Sequence, residues 1–238
     1  FIDKIVEKMM DNDELIDYCV VGEPTSNKKV ADSARIGRRG SLGGHLQIFG
    51  KQGHVAYPEN IENPIFLSSD LITDLKNKKW DNGNAIFDPT SFQISNIHSG
   101  TGAHNVVPGE LDLYFNFRYS TESTEESLKS EFENIIKNLN LKYDLNWSLN
   151  GNPYLTENKF LKEIIVSACE EVNGYKPDLN AKGGTSDGRF IAKMKTEIIE
   201  LGPINESIHQ IDENIKISEL WTLKDIYTKV LFKLNQQL

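Results

Sequence analysis

The chain has 238 residues, of which 38% are hydrophobic and 9% aromatic, so it can bury the core of one large domain or two smaller ones. A net charge of −9 argues against nucleic acid as a partner, and no apolar run approaches the roughly 18 residues of a membrane span. Cys19 and Cys169 lie in separate apolar segments and are predicted to be free thiols of a cytoplasmic protein. The sequence shows no charged-then-apolar leader before a small-residue cleavage site, and because the chain begins with Phe1 and not Met we expect upstream sequence to have been removed.

The first elements predict the start of an α/β domain. Apolar residues recur at helical spacing between residues 2 and 10. The apolar run at residues 18–21, ended by Gly22, then predicts a short buried strand.

From Ser41 the pattern changes to the alternation that is typical of strands. A first helix is predicted to begin at Asn63 with Pro64 in its first position, and a second follows a capping box of Ser123 and Glu126. Further strands are predicted at residues 92–97, 111–119 and 143–149. The order βαββαβ predicts a ferredoxin-like antiparallel sheet with both helices on one face, which leaves the other face and an edge available for a partner.

The C-terminal part returns to α/β. A helix is predicted over residues 160–172, a strand over 197–201 and a closing helix that begins at Ser218. We therefore expect a small domain over residues 40–152, inserted into an α/β domain made of residues 1–39 and 153–238.

Two candidate metal ligands follow predicted strands. Glu23 comes directly after the first strand, and His209 lies in the loop after the strand 197–201, so each is expected at the carboxyl end of a strand, where open α/β sheets bind ligands. Taken singly, each is more simply a solvated loop residue. Together they make a zinc site possible, but a catalytic zinc needs a third protein ligand and a base, and neither is found at convincing spacing.

Other segments point to carboxylate recognition. The segment Lys182–Arg189 offers backbone amides and hydroxyls that can cradle a carboxylate or form an ordinary tight turn. His54 lies at a glycine-flanked bend, where it can donate to an oxyanion or be a surface histidine of no special role. Arg118 falls on the polar face of its strand, where it can bind a carboxylate or form a surface salt bridge.

Taken together, these segments resemble the family of zinc-dependent peptidases and deacylases that includes acetylornithine deacetylases and carboxypeptidases. The resemblance runs in order through residues 20–25, 37–41, 53–58, 63–64, 100–102, 105–108, 115–119, 183–190 and 208–209. It implies a zinc-peptidase-like α/β domain, truncated at its N-terminus, with an inserted ferredoxin-like domain that serves as lid and dimerisation domain.

The resemblance also implies a site with two Zn²⁺ ions per subunit, for which Co²⁺ is an expected substitute. It assigns Glu23 to one metal and His209 to the other, whereas the remaining ligands and the general base come from a segment that would precede Phe1. His54 would enter the site of the other subunit of a homodimer and stabilise the tetrahedral oxyanion there.

The activity implied is hydrolysis of N-succinyl-LL-2,6-diaminopimelate to succinate and LL-2,6-diaminopimelate, a step of lysine and diaminopimelate biosynthesis. Asn105, Arg118 and Tyr57 would hold the succinyl carboxylate. The remaining substrate contacts would come from Arg38, Ser41, Gly184, Thr185 and Asn205. His104 departs from the small polar residue expected there, which leaves the choice of acyl group open. The alternatives are an acetylornithine deacetylase or a dipeptidase of the same family, or a lid and dimerisation fragment without activity, and this chain by itself is expected to be inactive.

Overall fold

The computed structural model describes residues 1–237. The strands are β1 (Tyr18–Val21), β2 (Ser33–Arg35), β3 (Gly37–Arg38), β4 (Gly40–Phe49), β5 (Gly53–His54), β6 (Ser91–Ser99), β7 (Val106–Val107), β8 (Glu110–Tyr119), β9 (Lys142–Gly151), β10 (Tyr154–Leu155), β11 (Asp178–Asn180) and β12 (Glu197–Glu200). The helices are α1 (Ile2–Asp11), α2 (Pro64–Asn77), α3 (Glu125–Asn138), α4 (Phe160–Asn173), α5 (Gly188–Ile191) and α6 (Ile217–Gln237), with 3₁₀ turns at Pro58–Asn60 and Ala192–Met194.

The described residues divide into two compact units. One consists of Phe1–Arg39 together with the chain from Pro153 onward, and the other of Gly40–Asn152. The first unit contains a four-stranded sheet in the order β1-β12-β2-β11. In this sheet β1 runs parallel to β12 and β2 runs parallel to β11, whereas β12 and β2 meet antiparallel.

The core of the first unit forms because α4 places its apolar side chains on one stripe. Helix α4 packs against both α6 and β12. It ends at Gly174, which has a left-handed φ of 76° that glycine adopts without steric strain. The fully buried residues of this core include Ala34, Leu161, Ile165, Ala168, Ile199 and Ile226.

The second unit is the predicted βαββαβ arrangement of β4, α2, β6, β8, α3 and β9. Its antiparallel sheet has the order β6-β8-β4-β9, which is ferredoxin-like. Leu111, Leu113, Phe115 and Phe117 alternate along β8 as buried residues, as period two requires. Phe132 of α3 stacks on Phe115 at 4.5 Å between ring centroids, so the helices cover this apolar face.

Two helix starts differ in how well the sequence predicted them. Asn63 caps α2 as expected, since its side chain accepts a hydrogen bond from the Ile65 amide at 3.0 Å. The predicted box of Ser123 and Glu126 is wrong by one residue, because the reciprocal bonds join Thr124 and Ser127. Ser123 instead donates to Asp81 at 2.7 Å. Helix α6 begins at Ile217, one residue before the predicted start.

Both cysteines are free thiols, as predicted from their separate apolar segments. Cys169 is fully buried, and that burial raises the pKa of its thiol to about 12. Of the helices in residues 1–237, none combines the length and the apolar character that crossing a membrane would take.

A buried hydrogen-bond network holds together the loop between α2 and β6. The carboxylate of Asp81 accepts bonds from the Gly83 and Thr90 amides and from the hydroxyls of Thr90, Ser120 and Ser123. Burial opposes ionisation of this carboxyl, but the hydrogen bonds from Thr90, Ser123 and Gly83 outweigh it and lower the pKa of Asp81 to about 2. The ionised carboxylate therefore stabilises the folded second unit.

We predict that Asp81→Asn lowers the free energy of unfolding of this unit by about 1 kcal/mol at pH 7, because solvent screens the charge of this partly buried carboxyl and reduces its contribution. Because the folded pKa lies below the unfolded value of 3.8, the contribution is present above about pH 4 and is lost as the pH falls towards 2. Urea unfolding followed by the fluorescence of Trp80 and Trp147 measures the difference. Asp88→Asn, in an exposed position of the same loop, is the control, and equal losses in the two variants would contradict the prediction.

Candidate active site

The carboxyl ends of β1 and β12 lie at one edge of the first unit's sheet. The two strands are parallel with Val21 opposite Glu200, and the Leu201 amide donates to the Val21 carbonyl at 2.9 Å. The segments that follow the strands stay in contact, since the Ser26 hydroxyl donates to the Gly202 carbonyl at 2.6 Å. A Cβ at Gly202 would collide with the carbonyl oxygens of Gly22 and Glu23, so this approach requires glycine.

Glu23 and His209, the two predicted metal ligands, are close enough for the charge of His209 to affect the pKa of Glu23. Glu23 is half-buried and His209 is exposed. Burial raises the pKa of Glu23 and the carboxylate of Glu200 raises it further, whereas Arg38 and His209 oppose the shift. His209 has a φ of 61°, a left-handed conformation that is uncommon for residues other than glycine and is enriched at functional sites.

A polar cleft of about 700 Å³ lies along the same strand-end segments. Its lining includes Asn27, Lys28, Asn205, Ser207 and Gln210. An apolar cavity of about 270 Å³ elsewhere in this unit, between β1, α4 and α6, contains none of the predicted site residues. Within residues 1–237, no group of three or more His, Cys, Asp or Glu side chains is arranged to hold a metal ion. Glu23 and His209, the two predicted ligands, would by themselves be fewer than the three protein ligands of a complete catalytic zinc site.

Behind Glu23, the side chain of Glu200 is fully buried at the end of β12. It accepts hydrogen bonds from Nε of Arg38 at 2.8 Å and from Nη2 of the same guanidinium. The hydroxyls of Tyr154 and Ser186 donate to its other oxygen. Burial, and next the negative charge of Glu200, raise the pKa of the Tyr154 hydroxyl well above its usual range. Arg38, predicted to contact substrate, is thus a buried partner of Glu200.

The glycine-rich loop before α5 carries two of the predicted substrate contacts. Gly184 is exposed and Thr185 is half-buried, while Ser186 is buried against Glu200. Asn205 lies in the loop after β12, and its backbone N–H donates to the Ser26 carbonyl at 3.0 Å. Gly184, Thr185 and Asn205 are all in the first unit.

The second unit brings together His54, Tyr57 and Asn105. The Val55 amide donates to the Asn105 carbonyl at 3.1 Å, and the rings of His54 and Tyr57 are 5.8 Å apart. The Ala56 amide donates to Nδ1 of His54 at 3.0 Å. Since Nδ1 is then an acceptor, the neutral imidazole carries its proton on Nε2, which can donate to a ligand.

Ser41 and Arg118 lie opposite each other on adjacent strands of the second unit. Directly paired residues project to the same face of a sheet, so both belong to the face opposite the helices. The Ser41 hydroxyl accepts from the side-chain amides of Asn116 and Asn150 at 3.2 and 3.4 Å. The polar face predicted for β8 therefore contains a hydrogen-bonded group of neutral side chains beside Arg118.

Comparison with known proteins gives a matching domain and two similar relatives. Residues 36–144 match the peptidase dimerisation domain of the M20 family. The chain is 50% identical over 232 residues to a succinyl-diaminopimelate desuccinylase of Hydrogenovibrio crunogenus, covering 97% of this chain and 61% of that protein. It is also 50% identical over 224 residues to a protein of the same name from Nitrosospira multiformis, covering 94% and 59%. The chain thus spans about three fifths of the length of these curated relatives.

Solved structures agree at the level of the fold. An M20 family metallo-carboxypeptidase from Sulfolobus solfataricus has a TM-score of 0.79 at 13% identity, covering 96% of this chain and 66% of that one. Aminopeptidase PepT from Bacillus cereus has a TM-score of 0.76 at 20% identity, covering 94% and 59%. Residues 36–144 thus match the M20 peptidase dimerisation domain, and the relatives that match nearly the whole chain at 50% identity are named succinyl-diaminopimelate desuccinylases.

Three residues of the first unit's network were missed by sequence reasoning. Glu200 and Tyr154 form the buried network with Arg38, and Arg35 braces the Glu23 segment by donating from Nη2 to the Thr25 carbonyl at 3.0 Å. Glu200 directly follows the apolar residues Ile198 and Ile199, which is the one available signal, because a carboxylate buried beside them requires partners.

We predict that Arg38→Met destabilises the protein by about 3 to 5 kcal/mol, because it leaves the Glu200 carboxylate buried without its cation. The double variant Arg38→Met with Glu200→Gln should recover most of that loss, since the uncompensated charge is gone. Urea unfolding of the full-length protein measures both effects. Arg39→Met, at the less buried neighbouring position, is the control, and a similar loss there would argue against a special role for the ion pair.

Proposed function

We propose that the full-length protein to which this chain belongs is a metal-dependent amide hydrolase that converts N-succinyl-LL-2,6-diaminopimelate and water to succinate and LL-2,6-diaminopimelate. The observation that carries the proposal is 50% identity to two desuccinylases along nearly the whole of this chain. We further propose that the protein works as a cytoplasmic homodimer, and the peptidase dimerisation domain over residues 36–144 supports the dimer.

Glu23 and His209 are the residues of this chain that would hold zinc, for which cobalt is an expected substitute. One carboxylate and one imidazole suit zinc, and Glu200 and Asp187 add negative charge around Glu23 that favours a cation. A bound zinc ion would polarise the amide carbonyl and lower the pKa of water to about 7. The part of the protein outside this chain would supply the remaining ligands and the base.

His54 would stabilise the oxyanion of the tetrahedral intermediate in the partner subunit's site. The hydrogen bond from the Ala56 amide supports this role, because it leaves the proton on Nε2, the nitrogen free to donate. A donor held in this way requires no reorganisation when negative charge develops on the carbonyl oxygen.

Arg118 would bind the succinyl carboxylate, because a planar guanidinium matches the two carboxylate oxygens. Asn105 and Tyr57 lie beyond the opposite end of β8, so they would reach this carboxylate from the partner subunit, as is proposed for His54.

The diaminopimelate part would meet Ser41, the loop residues Gly184 and Thr185, and Asn205 beside the polar cleft. Arg38 would contribute indirectly, because its guanidinium is bound to Glu200 and to the Lys182 carbonyl. The exposure of Gly184 and the position of Asn205 on the cleft wall support their share of this assignment.

A second candidate applies to this chain by itself, as a lid and dimerisation fragment without activity. The observation that favours it is that residues 1–237 hold no group of three potential metal ligands. Two ligands bind zinc weakly, so the chain alone should exchange zinc rapidly whereas the full-length protein should retain it. Zinc retained by the isolated chain through dialysis would rule this candidate out.

We predict that the full-length protein with zinc hydrolyses the succinyl substrate with a kcat/KM about 100-fold or more above that for N-acetylornithine, because a site built to bind a carboxylate rejects an acyl group that lacks one. The isolated chain should show no turnover above the buffer control. Equal rates on the two substrates would make the protein a general deacylase, and activity on acetylornithine alone would make it a deacetylase.

We predict that His209→Ala in the full-length protein removes one equivalent of zinc per subunit and lowers kcat by about 100-fold or more, because the metal loses a ligand. Elemental analysis after dialysis gives the metal content. Gln210→Ala, the exposed neighbour in the same loop, should keep both metal and turnover. Unchanged zinc content in the His209 variant would remove this residue from the ligand set.

A further inference from the structure

The carboxylate of Glu200 joins three separate parts of the first unit. Arg38 belongs to β3, Tyr154 to β10, and Ser186 to the loop before α5, and all three donate hydrogen bonds to it. Glu200 and Ser186 are buried, so these bonds form with little competition from water. Each of the three parts is therefore held relative to the end of β12.

The loop between β11 and α5 is fixed at both ends by this network. At its start, Nη1 of Arg38 donates to the Lys182 carbonyl at 2.9 Å. At its end, the Ser186 hydroxyl donates to Glu200. Only residues 183–185 lie between these anchors, and Gly183 and Gly184 are exposed. One buried carboxylate thus sets the position of a short exposed segment.

The position of this loop also depends on close packing of its glycines against residues of the Glu200 network. Gly183 has a left-handed φ of 100°, and a Cβ there would collide with the Arg38 guanidinium. A Cβ at Gly188 would likewise press on the Tyr154 hydroxyl and approach Glu200. The loop therefore fits closely against the network at both ends, so a shift of Arg38 or Tyr154 would also displace residues 183–185.

We infer that Glu200 is a positioning residue, which acts through Arg38 and Ser186 to hold Gly184 and Thr185 where they bind substrate. The inference rests on the proposed function, in which those two residues contact the diaminopimelate part. Glu200 itself is too deeply buried to touch substrate. Arg38 uses Nε, Nη1 and Nη2 in the network, so its main contribution is to the shape of the loop.

The test compares Ser186→Ala and Glu200→Gln in the full-length protein. Ser186→Ala removes one anchor and leaves the ion pair of Arg38 with Glu200 intact, so it remains informative if Glu200→Gln fails to fold. The matched control is Glu197→Gln at the other end of β12, where the carboxylate accepts a bond from Asn158 at 2.6 Å. Kinetics with the succinyl substrate, zinc content and hydrogen exchange of the loop are measured for each variant.

We expect Ser186→Ala to raise KM about tenfold with kcat within about twofold, because a binding segment is displaced while the reacting centre is not. Zinc content should not change. Amide exchange at residues 183–187 should be about tenfold faster in both network variants and unchanged in Glu197→Gln, because opening of the loop no longer breaks the buried anchor.

A fall in kcat at constant KM, or unchanged exchange in the loop, would overturn the inference. Equal effects in Glu197→Gln would assign the changes to general destabilisation and would also overturn it. Hydrogen exchange needs no substrate, so it tests the positioning of the loop by Glu200 separately from the proposed desuccinylase activity. If the parent protein does not hydrolyse the succinyl substrate but the loop exchanges faster in both variants, the proposed function fails and the positioning of the loop by Glu200 stands.

Discussion

Parallel pairing of β1 with β12 brings the carboxyl ends of two strands that are distant in sequence to the same edge of one sheet. Val21 is opposite Glu200, so the chain leaves both strands at the same height and the segments that carry Glu23 and His209 begin side by side. Cross-links between the two segments, such as the bond from the Gly202 amide to the Thr25 hydroxyl at 3.1 Å, keep them together. Every candidate metal contact of this chain depends on that register.

The end of β12 also carries the buried negative charge of Glu200, and protein interiors usually exclude such charges. A buried carboxylate costs several kcal/mol in lost hydration unless a cation and hydrogen bonds compensate it, and a well-packed apolar pair would often be at least as stable. A gain in stability is therefore a weak explanation for the presence of Glu200 and Arg38 at these buried positions. Their network has directional bonds to β3, β10 and the loop before α5, which an apolar pair cannot provide. Geometric specificity in the binding loop is a better physical reason for the pair.

The sequence predicted what depends on local periodicity and short motifs. The βαββαβ order and the cap at Asn63 follow from such signals, as does the position of Glu23 directly after the end of β1. Long-range partners were not predictable in this way. Ser123 and Thr124 are both suitable capping residues by type. The choice between them depends on Asp81, which lies 42 positions before Ser123 and accepts the hydrogen bond from the Ser123 hydroxyl. Glu200 has partners at positions 38, 154 and 186, which no spacing rule connects.

Gly202 determines how closely the segment after β12 can approach the segment that carries Glu23, although it has no side chain to offer a ligand. Its bare Cα lets the backbone after β12 lie against the carbonyl oxygens of Gly22 and Glu23, where any larger residue would act as a wedge. A side chain at position 202 would therefore force apart the backbone segments that follow β1 and β12. The candidate site thus depends on a residue that could never contact a ligand through a side chain, and a search for functional residues limited to side-chain chemistry would overlook it.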